Sequence, residues 1–98
     1  MIIINKEDLE AAKSLVSPPG ETLADTLEAK GISHTELATR MGCHIQTINE
    51  IIQGKTAILH ETAIQMEQVL GISAGFWIKR EKNYRLELDE IQKFEKFI

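Results

Sequence analysis

Very little in this chain of 98 residues could crosslink it, hold it in a membrane or carry out a reaction. It has one cysteine, Cys43, so no internal disulfide can form, which suits a reducing cytoplasm. Placed where a helix starts, Cys43 reads as a small half-buried filler. No apolar run approaches the roughly 18 residues that a membrane span needs, and the opening MIII lacks the basic flank and length of a signal peptide. The histidines, His34, His44 and His60, are scattered over separate segments. There is no H-E-x-x-H, cysteine pair, phosphate-cradling glycine loop or nucleophile motif; His60–Glu61 is followed by Ile64 where a second metal-ligating histidine would stand. No metal, cofactor or catalytic residue is therefore expected. Aromatic residues make up 5 % and prolines number two, which favours a compact helical domain. A hydrophobic content of 43 % is enough for one modest core and too little for two domains.

The net charge is −4, which argues against a general nucleic-acid binder. The acidity is unevenly spread. Residues 1–32 carry three positive and six negative groups, and residues 57–75 add only Glu61 and Glu67. Between them, residues 33–56 balance, with Arg40 and Lys55 against Glu36 and Glu50. Residues 76–98 carry six positive and five negative groups.

The pattern predicts helices throughout. In NKEDLEAAKSLVS, Asn5 is a plausible N-cap, and Leu9, Ala12 and Val16 share a face. SPPG breaks that helix, so residues 1–17 read as an arm and Pro18–Gly20 as a hinge before the domain of residues 18–98. In ETLADTLEAK, Leu23 and Leu27 are spaced i, i+4, and Gly31 ends the helix. In ISHTELATRMG, Ser33 and Glu36 form a capping box, Ile32 and Leu37 a hydrophobic staple, and Gly42 the stop. The next helix runs over about residues 45–53. Ala63, Met66, Val69 and Leu70 mark a further helix ended by Gly71. Ser73 caps the last one, on which Trp77, Tyr84, Leu88, Ile91 and Ile98 lie in a narrow arc with Phe94 at its edge.

Only Gly42, Cys43 and His44 separate the third helix from the fourth, and Ala38 stands where they must approach. Two helices joined so tightly make a helix-turn-helix, whose second helix enters the DNA major groove N-terminal end first. That explains the unusual outer face of GCHIQTINEIIQGK. Opposite buried Ile48, Ile51 and Ile52 stand Gln46 and Glu50, flanked by Thr47 and Asn49, with Ile45 at the tip. Amides can offer a donor and an acceptor to adenine, a carboxylate accepts from cytosine N4, and Ile or Thr can touch a thymine methyl. Neutral solvent-facing residues would look similar on an isolated helix; the glycine turn favours a reading face. Lys55 and Thr56, just beyond the helix, suit phosphate contact. With so few cations, one monomer should bind weakly and with a shallow salt dependence, and two should bind a pseudo-palindrome.

ISHTELATRMGCHIQTINEIIQGKTAI is similar to the Cro/C1 repressor type of helix-turn-helix, a five-helix all-α bundle. With PPGETL before it and ETAIQMEQVLGISAGFWI after it, the chain resembles the HigA-type antitoxins of bacterial toxin–antitoxin modules over about residues 18–84. The FW after the Gly-Ile-Ser cap is the most specific mark. The resemblance implies an antitoxin that represses its own operon as a dimer and neutralises a RelE-like mRNA-cleaving toxin. It puts Ile45, Gln46 and Glu50 in the base-reading positions and His34 where a glutamine often touches a phosphate. A histidine there carries a full charge only when protonated, so DNA affinity would rise as pH falls; the alternative is that His34 is simply an exposed surface residue.

Beyond Trp77, the residues Tyr84, Leu88, Ile91, Phe94 and Ile98 have little domain left to bury against. A homodimer contact is the favoured reading; the other is that they fold back on the arm. KREKNYR could flank DNA, pair with the acidic arm, or be a solvated face. The arm is the leading candidate for toxin contact, and MIII could add to a sheet edge or plug the core. A free-standing repressor without a toxin, and an interaction module that keeps the scaffold without binding DNA, are the competing functions.

Overall fold

The computed structural model describes residues 5–96, and all regular structure among them is helical. The elements are α1 (Lys6–Leu15), α2 (Pro19–Lys30), α3 (His34–Met41), α4 (Ile45–Ile52), α5 (His60–Leu70) and α6 (Ala74–Glu95). The expected all-α class is observed: α2 to α6 form the bundle, and α1 adds to it from outside. MIII and Ile98 lie outside the described residues.

Polar side chains begin three of the helices where the sequence pattern put their starts. Asp8 N–H donates to Asn5 Oδ1 (2.9 Å), Glu36 N–H to Ser33 Oγ (3.0 Å) and Phe76 N–H to Ser73 Oγ (3.2 Å). The capping box at Ser33 is only half made. The Glu36 carboxylate turns away to accept from Arg40 Nη2 (2.9 Å), one turn along the same helix. Both groups are exposed enough that the pair contributes little, so either partner could have won it.

One core joins α2 to α6. Leu23, Leu27, Leu37, Ile48, Met66 and Trp77 are fully buried in it, and Phe76 packs edge-on against Trp77 with ring centroids 5.1 Å apart. The segment Pro18–Gly20 is not a hinge. Pro19 and Gly20 are the buried first turn of α2, with Pro18 at the N-cap. Two proline rings suit that place, since the first turn has no intrahelical use for its N–H groups. Gly20 lies against the last turn of α4: a Cβ built there would come 2.5 Å from Ile52 Cα and closer still to Ile51 O. Arg80 on α6 holds the same corner. Its Nη1 donates to Ser17 O (3.1 Å), Nη2 to Ser17 Oγ (3.0 Å) and Nε to Thr22 Oγ1 (3.3 Å).

α1 returns to α6 and makes a second, small cluster of Leu9, Ala12 and Ile91, with Val16 and Phe94 packed at its edge. Lys13 Nζ reaches Glu95 Oε1 at 2.5 Å, and the carboxylate raises the lysine pKa above its ordinary value. This changes the reading of the last helix. Ile91, expected at a dimer contact, is 6 % exposed because its own chain covers it, and Phe94 is half-buried against the same cluster. The fold-back alternative holds for these two. Leucine and alanine three apart on α1 supply the apolar surface that Ile91 needed, so no second molecule is required to bury it.

Gly20→Ala should lower stability by roughly 1–3 kcal/mol, since the methyl would meet backbone atoms that cannot rotate away. For a domain of this size that is a fall of about 4 °C or more in Tm. Thermal unfolding followed by circular dichroism checks it; an unchanged midpoint would show that the two helices can separate freely.

Candidate nucleic-acid interface

The turn between α3 and α4 is made by main-chain atoms. Gly42 sits at φ 71°, which a side chain would strain. There its N–H donates to Thr39 O (3.2 Å) and Cys43 N–H to Ala38 O (3.0 Å), closing α3 in the manner of a Schellman cap. The chain can then restart as α4 after Gly42–His44. Ala38 and Met41 from α3 and Ile48 and Ile51 from α4 are buried between them. Cys43 is half-buried against the same core.

The other side of α4 faces outward. Ile45 is 45 % exposed at its N-terminal tip, Gln46 and Gln53 are exposed, and Thr47, Asn49 and Glu50 are half-buried. Two hydrogen-bonded groups organise this face. In the first, Gln46 Nε2 donates to Glu50 Oε1 (2.9 Å) and Thr56 Oγ1 to Glu50 Oε2 (3.2 Å). In the second, His34 Nδ1 lies 3.1 Å from Asn49 Oδ1, joining the first residue of α3 to the middle of α4. Thr56, expected at a phosphate, donates to the Glu50 carboxylate in this structure. Lys55 is exposed beyond the helix, where its own N–H donates to Glu50 O (2.9 Å).

The loop after α4 is fixed from behind. Gly54, at φ 75°, packs against Pro18, with room for a Cβ only 3.1 Å from the proline ring. Ile58 N–H donates to Glu81 Oε1 (2.8 Å), and Arg85 Nε donates to Glu81 Oε2 (2.5 Å). Tyr84 and Leu88, the remaining expected dimer residues, are half-buried and line an open groove of about 290 Å³ between α1 and α6, with Val16 and Ile91. Among the described residues no three His, Cys, Asp or Glu side chains are grouped to hold a metal, and no helix is long and apolar enough to cross a membrane.

A helix-turn-helix family model (HTH_3) matches residues 23–77, which runs from the middle of α2 to Trp77. The chain belongs to the Cro/C1-type helix-turn-helix family. Its helix-turn-helix unit is α3 and α4, and its neighbours in fold are HigA-type antitoxins. The chain is 30 % identical to an antidote protein of a plasmid maintenance system from Nostoc punctiforme, with a TM-score of 0.78 over 84 % of this chain and 92 % of that one. It is 26 % identical to the Pseudomonas aeruginosa antitoxin HigA, solved with the higBA promoter, with a TM-score of 0.77 over 84 % of this chain and 90 % of that one. It is also 28 % identical to the HTH-type transcriptional regulator YddM of Escherichia coli K12, over 69 % of this chain and 72 % of that one.

Arg80 and Glu81 escaped the sequence reading because KREKNYR looks like one cationic face. A signal was present. Glu81 follows Trp77 by one helical turn and precedes Leu88 by two, so it falls inside the apolar stripe and must be buried. It is 9 % exposed, and its carboxylate caps the Ile58 N–H that no helix uses. Glu81→Ala would leave that N–H without a partner and should cost about 1–3 kcal/mol in denaturant unfolding, with Glu81→Gln costing less because an acceptor remains. Equal stability of Glu81→Ala and the parent would contradict the cap.

Proposed function

We propose that this protein is the antitoxin of a type II toxin–antitoxin module, which represses its own operon by inserting α4 into the major groove and neutralises a RelE-like mRNA-cleaving toxin. The observation that carries the DNA-binding part is the outward face of α4, where Ile45, Gln46, Thr47, Asn49 and Glu50 stand on a helix fixed from below by buried Ile48 and Ile51. The likeness in fold to an antitoxin solved with its promoter supports it. In this reading α4 meets base edges with its N-terminal half, and Lys55 lies beside the phosphates.

The protein acts in the cytoplasm as a homodimer on a pseudo-palindromic operator, with half-sites about one helical turn or a multiple of it apart. Two copies are needed because one offers few cations to the phosphates. The dimer contact uses Tyr84 and Leu88, which remain half-buried after Ile91 and Phe94 are covered by α1. The toxin contact uses the outer face of α1, where Glu7, Glu10 and Leu15 are exposed and Leu15 shows 70 % of its surface. An acidic face suits a basic toxin. A free-standing repressor is the second reading, with which the likeness to a regulator named only for its helix-turn-helix is also consistent.

In a mobility-shift assay on the chain's own promoter, the double variant Gln46→Ala, Glu50→Ala should bind at least about tenfold more weakly than the parent. An unchanged shift refutes the base-reading role. Co-purification with the product of the adjacent reading frame separates the two functions: a stable complex that loses toxicity supports the antitoxin, and no complex supports the free repressor.

His34 Nδ1 is engaged with Asn49, and in this reading its other ring nitrogen is the one left to meet a phosphate. His34→Ala should therefore weaken binding to every duplex alike, and unchanged affinity would exclude His34 from the phosphate.

A further inference from the structure

Glu50 raises a problem that the groove-reading proposal leaves open. A carboxylate brought to DNA is repelled by the phosphates on both sides, and a free glutamate would swing out of the groove. Glu50 is not free. Each of its oxygens has its own donor: Gln46 Nε2 from one turn earlier on α4 to Oε1, and Thr56 Oγ1 from the loop beyond α4 to Oε2. The two donors approach from opposite ends of the helix, one preceding Glu50 and one following it, and hydrogen bonds to a charged acceptor are the stronger kind.

We infer that Glu50, clamped between Gln46 and Thr56, reads a cytosine, and that Thr56 serves it as a positioning residue rather than as a phosphate contact; this rests on α4 being the helix that enters the groove. A carboxylate accepts at about four lone-pair sites, of which the clamp occupies two, leaving one on each oxygen. It has no proton to give. In the major groove, guanine presents N7 and O6 and thymine presents O4, all acceptors that repel it. Adenine presents a donor at N6 next to an acceptor at N7. Cytosine alone presents only the N4 donor, so a fixed carboxylate selects it. Gln46 spends one amide N–H on the clamp and keeps a second N–H and Oε1 for a neighbouring base.

Thr56 has one hydroxyl proton. While that proton is given to Glu50, the Thr56 side chain cannot donate to a phosphate oxygen, which only accepts. The two roles exclude each other and leave different traces. Loss of a phosphate contact weakens binding to every sequence alike. Loss of a clamp changes preference at one base pair.

The test selects sites from a randomised double-stranded DNA library with the full chain, its Glu50→Gln, Thr56→Val and Thr56→Ser variants, and measures affinity on the selected duplexes and on duplexes with that base replaced. The parent should enrich one cytosine per half-site, and replacing it should cost roughly ten- to hundredfold in affinity. Glu50→Gln should abolish that preference. Thr56→Val should reduce it by about threefold or more at that position alone, with affinity for duplexes lacking that cytosine unchanged, and Thr56→Ser should restore it. The inference is overturned if Thr56→Val weakens all selected duplexes alike, whatever base stands at that position. It is also overturned if the parent selects sites in which no position answers to Glu50. A library from which the parent enriches nothing would overturn the groove-reading proposal itself, and the inference with it.

Discussion

The first turn of α2 and the last turn of α4 touch backbone to backbone, and the position of every outward side chain on α4 depends on that contact. Gly20 allows it, since any larger residue would run into the main chain of Ile51 and Ile52. A contact between main chains has almost no freedom to slide, unlike one between long side chains. Ile48 and Ile51 press α4 down onto the core, and the Gly20 contact fixes how far its C-terminal end can rise. Arg80 adds a clamp on the chain just before α2, through Ser17 and Thr22. A helix of only eight residues would not be stable alone; these neighbours make it one.

Much of this was legible in the residues. Glycine after an apolar stripe, Asn or Ser before one, and the spacing of leucines and isoleucines place the helices, because those signals are local. The tight turn at Gly42 and the outward polar face of α4 follow from the same signals. Two things were not legible. The Pro18–Gly20 segment resembles a hinge in sequence, and only the close approach of a distant helix shows why glycine stands there. Ile91 lacks a partner in its own neighbourhood of the chain, and its partners Leu9 and Ala12 lie at the opposite end of the sequence. Pairings across such distances have no periodic trace. Glu81 is the intermediate case: its position in the stripe was visible, and the Ile58 N–H that requires it was not.

The polar layer over α4 is coupled to the loop behind it. Glu81 holds Ile58, the loop carries Thr56, Thr56 holds Glu50, and Glu50 holds Gln46. The chain is acidic overall, and long-range attraction can contribute little to its meeting with DNA. On the groove-reading proposal, recognition rests on fixed geometry at close range, and this succession of hydrogen bonds would supply it. The α1–α6 cluster has a different character. Leu9, Ala12 and Ile91 are few, and the Lys13–Glu95 pair beside them is exposed to solvent, so this unit opens more easily than the main core.

The most direct test of the account is a titration of isotopically labelled protein with its own promoter DNA, followed by amide chemical shifts. The account predicts that the largest changes fall on Ile45, Gln46, Thr47, Asn49, Glu50 and Lys55, with Ile64 on α5 and Gln92 on α6 nearly unmoved. Changes concentrated on α5 or α6, with the α4 amides unaffected at saturating DNA, would contradict it.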